Sequence, residues 1–127
     1  MNVLLSIKPE YADRIFAGEK LFEFRRVVPK QDVERVFVYA SAPVQRIIGE
    51  FTVRKVVTTT PEKLWRRTHT HAGIARDAFM RYFDGCAEAH ALEVAEARRY
   101  EQPIDPRERD EKFRPPQSFV YLAEPPA

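Results

Sequence analysis

Cysteine is nearly missing from this chain: Cys86 stands alone, so no internal disulfide can form and a reducing, cytoplasmic setting is expected. Long apolar runs are missing as well. The longest uncharged apolar stretch, residues 36–44, falls far short of the roughly 20 residues that a helical bilayer crossing needs. No membrane association is expected, and residues 1–8 carry neither a basic leader nor a small-residue cleavage site, so export is not expected either. Histidine is sparse. His69, His71 and His90 form no recognisable ligand spacing with Cys86, which argues against a metal centre and gives no cofactor signature. An excess of one charge is also lacking: 21 basic residues face 19 acidic ones, for a net charge of +2. Whole-molecule attraction to phosphate is therefore weak, and any anion binding has to come from local clustering.

What is present is enough for a core. Hydrophobic residues make up 44% of the 127 positions and aromatics 12%, a globular composition long enough for one domain and too short for two. Residues 1–123 are expected to form that single domain, with 124–127 as a loose tail. Arginine outnumbers lysine 15 to 6. Its planar fork suits phosphate and base edges, although any one arginine pair beside acidic neighbours reads equally well as solvated surface.

Local patterns predict an α+β fold. Residues 2–7 read as a buried strand, and Pro9 then opens a helix whose stripe of Tyr11, Ala12, Ile15 and Phe16 ends at Gly18. From residue 21 the period shifts to two, with Phe22 and Phe24 on one face and Glu23 and Arg25 on the other. Further strands are expected over 35–40, 47–57, 89–95 and 118–122, with Gly49 marking a bulge or bend in the long one. Thr60-Pro61-Glu62 starts a second helix, and residues 74–83 form a third that stops at Gly85. Residues 103–116 read as a charged, proline-punctuated excursion.

The stretch Gly18-Glu19-Lys20-Leu21-Phe22-Glu23-Phe24-Arg25 carries the strongest signal. Its spacing, Gly-x-Lys-x-x-Glu-x-Arg between a helix and a strand, resembles the signature of ASCH domains of the PUA-like superfamily. Ser6-Ile7-Lys8-Pro9, Val38-Tyr39-Ala40-Ser41, Ile48-Gly49-Glu50-Phe51, Trp65, Gly73-Ile74, Tyr82-Phe83 with Gly85, and residues 115–122 are similar to one subgroup of that family, so the likeness spans nearly the whole chain. The resemblance implies a PUA-like β-barrel of five to six strands flanked by two to three short helices. It also implies a cleft at the signature and association with RNA or a nucleotide.

Read as chemistry, Glu23 and Arg25 share a strand face and can present an acceptor and a donor to a base edge; as an exposed ion pair they would contribute only ~0–1 kcal/mol. Lys20 falls on the opposite face by strict alternation. It reaches the cleft only if the chain is still turning out of the helix there, and a desolvated lysine in that place can hold phosphate or act as a base. Ser6 and Lys8 precede the first helix, Tyr39 and Trp65 are the candidate stacking aromatics, and Gln117 and Ser118 offer hydrogen bonds to a base or phosphate.

Two functions compete. The first is a non-catalytic RNA or modified-nucleotide binding module, regulatory or linked to translation, using Ser6, Lys8, Lys20, Glu23, Arg25, Tyr39, Trp65, Gln117 and Ser118. The second is a small hydrolase, because ASCH relatives include enzymes that cleave single-stranded RNA and others that hydrolyse acylated cytidine through a Lys, a Thr and a Glu. Lys20 matches that lysine, but Glu23 stands where the threonine is expected and no carboxylate stands near Thr70-His71. If turnover occurs, Lys20 and Glu23 with His71 are the expected catalytic groups. A third reading, a protein-interaction surface over residues 107–114, has no specific motif behind it. The oligomeric state is not encoded in any visible pattern.

Overall fold

In the computed structural model, which describes residues 1–126, six strands form one mixed sheet: β1 (Asn2–Ile7), β2 (Phe22–Arg25), β3 (Arg35–Ala40), β4 (Arg46–Thr59), β5 (Ala89–Ile104) and β6 (Phe119–Leu122). Three helices accompany them, α1 (Pro9–Phe16), α2 (Pro61–Thr68) and α3 (Arg76–Tyr82). Among the described residues, no helix is long and apolar enough to cross a membrane. Ala127, the end of the expected tail, lies outside the described residues.

The strand order is β2-β5-β4-β3-β1-β6. β1 runs parallel to β3 through the α1 crossover, while the remaining neighbours are antiparallel. Alternating side chains divide β1 and β3 into two cores. Val3, Leu5, Ile7, Val36, Val38 and Ala40 pack with Ala12 and Ile15 of α1, whereas Leu4, Phe37 and Tyr39 pack on the reverse face with Ile47, as the two-residue period of a strand requires. A third cluster joins Phe24, Leu64, Ala72, Phe79 and Phe83 beneath α2 and α3.

The expected PUA-like α+β fold is present, with six strands and three helices. Its sheet is not closed: the edge strands β2 and β6 are not hydrogen-bonded neighbours. Short edge strands of four residues each leave too little ladder to zip the seam. One expectation needs correction: β5 continues to Ile104, well past the expected end near residue 95. Its outer half is mostly exposed, with only Tyr100 and Ile104 half-buried, so no regular apolar alternation marks it; what holds it is pairing with the long β4, through three register shifts.

Gly49 lies opposite the irregularity between Val38 and Tyr39. A Cβ there would come within 2.5 Å of the Phe16 ring and 2.6 Å of the Arg98 carbonyl oxygen. Glycine is thus required by close approach of α1 and β5, not by backbone conformation.

Candidate functional site

The open seam between the sheet edges is a hollow of about 810 Å³, within the roughly 300–1,000 Å³ typical of ligand pockets. Ser6 and Lys8 from the end of β1, Lys20, Glu23 and Arg25 from the signature, and Gln117 and Ser118 before β6 all line it. Seven of the expected site residues therefore converge. Arg26 and Arg81 join them on the wall, so five cationic side chains surround one carboxylate.

Lys20 settles the question that alternation raised. β2 begins only at Phe22, and the Lys20 backbone N–H still donates to the Arg14 carbonyl, at 3.0 Å, so the chain is leaving the helix and the side chain is free to turn inward. It is 1% exposed, with Nζ donating to the Ala72 carbonyl at 2.8 Å and lying 4.5 Å from the Phe24 ring centroid and 5.5 Å from that of Tyr11. Burial pushes its ammonium down from 10.5 to about 8; the Glu23 carboxylate opposes the shift and the Arg14 guanidinium adds to it.

The support beneath Lys20 is specific. Three consecutive carbonyls, those of His71, Ala72 and Gly73, accept from Leu21 N–H, Lys20 Nζ and Arg14 Nη1. Gly73 has φ of 66°, and a Cβ on it would sit 2.5 Å from the Lys20 Cβ. Only glycine fits both the left-handed backbone and the lysine stem lying across it.

Glu23 and Arg25 pair at 3.3 Å as their shared face predicts, with side chains 8% and 11% exposed. Arg25 also spans the seam. Its Nη2 donates to the Ser118 carbonyl at 2.8 Å and its Nη1 approaches the Ser6 carbonyl at 3.4 Å. Arg25 Nε and Ser6 Oγ are buried without a protein partner. Such atoms cost of order 1–3 kcal/mol each when left dry, and here both belong to residues of the hollow's wall.

Three expected site residues lie elsewhere. Tyr39 is fully buried on the reverse face of β3, its ring 5.4 Å from that of Phe113, because its register places it in a core and not at the seam. Trp65 packs 5.0 Å from Phe79 on the helical core side. His71 has an exposed side chain in a short 3-10 turn and contributes its carbonyl. Conversely, Tyr11, Phe24, Arg26, Arg81 and Tyr82 line the hollow without having been singled out. Helical spacing alone does not say which end of an apolar face stays open, and an arginine beside acidic neighbours reads equally well as solvated surface.

A second hollow of about 1,070 Å³ adjoins Arg35, Glu50, Arg98 and Tyr100. There the charges neutralise one another: the buried Glu50 carboxylate takes Arg35 at 3.0 Å and also Arg98. Its greater size is not matched by free cationic capacity, so the seam is the stronger candidate. Among the described residues, no group of three or more His, Cys, Asp or Glu converges as metal ligands would.

The ASCH domain pattern matches residues 5–104. This chain belongs to the ASCH domain family. An ASCH domain-containing ribonuclease of Zymomonas mobilis is 32% identical over 128 residues, covering 95% of this chain and 84% of that protein. The crystal structure of ASCH from the same organism superposes with a TM-score of 0.89 at 30% identity, covering 97% of this chain and 88% of that one, and a mutant of that ASCH protein gives the same score. Similar segments occur in larger proteins. ATP synthase subunit alpha of Ureaplasma parvum serovar 3 is 31% identical over 95% of this chain, which spans only 15% of that protein. Large ribosomal subunit protein uL22 of the same organism is 30% identical over 95% of this chain, which spans 39% of that relative. The agreement with the ASCH crystal structures places this α+β sheet among PUA-like folds.

Proposed function

We propose that this ASCH domain binds single-stranded RNA by drawing a nucleotide into the hollow between β2 and β6. The observation that carries the reading is the convergence of Lys8, Lys20, Arg25, Arg26 and Arg81 around Glu23 in one open cavity, two of whose wall residues, Ser6 and Arg25, have buried polar atoms without partners. Cations attract the phosphate and aromatics accept a base face, a combination suited to unpaired strands. The ribonuclease name of a relative at 32% identity supports RNA as the polymer.

Fluorescence anisotropy with a labelled RNA 8-mer tests this. The protein is expected to bind, and Arg25→Ala to weaken binding roughly tenfold or more through loss of a buried charged donor. Equal binding by protein and variant, or no binding by either, overturns the proposal.

A second reading, RNA cleavage, is favoured by Lys20, whose lowered value of about 8 leaves a fraction of neutral amine near neutral pH. In that reaction the amine takes the ribose 2′-hydroxyl proton, O2′ bonds to the adjacent phosphorus and the bond from phosphorus to O5′ breaks. O5′ takes a proton from water, and a 2′,3′-cyclic phosphate is left. Mass spectrometry should then find cyclic-phosphate ends that disappear with Lys20→Met; intact RNA from the unaltered protein removes the catalytic reading and leaves binding standing.

A further inference from the structure

Arg26 is placed differently from the other cations of the hollow. Its guanidinium carbon lies over the Tyr82 ring, 4.4 Å from the centroid, and its Nε donates to the Tyr82 carbonyl at 2.7 Å. Ring contact and hydrogen bond together tether the guanidinium at the mouth of the hollow, against the last turn of α3. Arg26 is exposed, and neither it nor Arg81, exposed beside it, joins an ion pair among the described residues. Val27, next along the chain, is 58% exposed and also lines the hollow. The rim thus combines a guanidinium tethered along one edge, a second unpaired cation and an exposed apolar side chain.

We propose that this rim is a second nucleotide subsite, at which the base next to the inserted nucleotide stacks on the outer face of Arg26 while Arg81 faces the intervening phosphate. The site would then take a strand of at least two linked nucleotides in preference to a free nucleoside or mononucleotide. This rests on the proposed RNA-binding function and narrows its ligand class. A stacked arginine plane serves any base, because every base has a π-face. A guanidinium already tethered by one edge loses little further freedom when a base settles on it. Tyr82 acts here as the positioning residue, holding the plane from beneath.

The test compares a mononucleotide with a trinucleotide of the same base, by isothermal titration on the intact protein and on Arg26→Ala, Arg26→Lys and Arg25→Ala. The trinucleotide is expected to bind at least tenfold more tightly than the mononucleotide. Arg26→Ala should remove most of that advantage, weakening the trinucleotide far more than the mononucleotide. Arg26→Lys, which keeps the charge and loses the plane, should resemble the alanine variant. Equal affinities for the two ligands overturn the second subsite while leaving the hollow intact as a nucleotide site. So does an Arg26→Ala variant that weakens both ligands alike, or full rescue by lysine, which reduces the rim to simple charge. No measurable binding of either ligand by the intact protein overturns the parent proposal as well. Unchanged melting temperature of Arg26→Ala separates loss of a subsite from loss of the tie between β2 and α3.

Discussion

Lys20 is the residue on which stability and binding pull in opposite directions. Burying an ammonium costs free energy until it deprotonates, and with a folded value of about 8 against 10.5 the unfolded chain holds the proton over the interval between them. Protein stability should therefore rise as pH increases from about 8 to 10.5, by up to about 3 kcal/mol from this one group. Urea denaturation across that interval checks it, with Lys20→Met as the control that lacks the increment. RNA affinity should move the other way, weakening above pH 8 as the cation is lost. Gly73 belongs to the same unit: Gly73→Ala is expected to cost about 1–3 kcal/mol from left-handed strain, with further cost from the 2.5 Å approach to the Lys20 stem. The measured loss should come with weakened RNA binding, since the displaced lysine leaves the wall.

At the scale of elements, what the sequence revealed followed the strength of its periodic signals. β1, α1, β3 and the start of α2 match their expected positions because each has a clear apolar period, a proline at a helix start or a hydroxyl cap; Thr60 does accept from Lys63 N–H. The signature strand also showed that Glu23 and Arg25 would meet. Tyr39 and Trp65 were drawn into the expected site because aromatic type alone does not distinguish a stacking surface from a core, and register decides between them. The outer half of β5 left little trace, since only Tyr100 and Ile104 in it are half-buried, too few and too widely spaced to mark a two-residue period. Arg14, whose guanidinium ties Gly73 to α1, was invisible for a related reason: its partner is a backbone carbonyl 59 positions away, and carbonyls have no residue type. The clasp between β2 and the segment before β6 gives an element-level prediction. Arg25→Lys loses the forked reach to the Ser118 and Ser6 carbonyls, so hydrogen exchange should quicken in residues 117–120 while β3 and β4 stay protected.

For the whole molecule, a net charge of +2 provides little long-range pull, so RNA affinity should depend on contacts within the seam and along its rim. The logarithm of the binding constant for single-stranded RNA should fall with log salt at a slope of about −0.7 per phosphate engaged. Two linked nucleotides at the paired subsites predict a shallow dependence, and titrations at several salt concentrations measure it. A steep slope would instead assign binding to the arginines scattered over the surface.

The unclosed seam has a mechanical meaning as well. A fully hydrogen-bonded barrel would have to unzip a run of backbone pairs before anything could pass between two of its strands. Here no strand ladder joins β2 to β6, and the Arg25 guanidinium bridges the gap through the carbonyl oxygens of Ser118 and Ser6. If RNA enters there as proposed, its phosphate oxygens would compete with those carbonyl oxygens for the same guanidinium, so entry would cost the protein two hydrogen bonds and no backbone ladder.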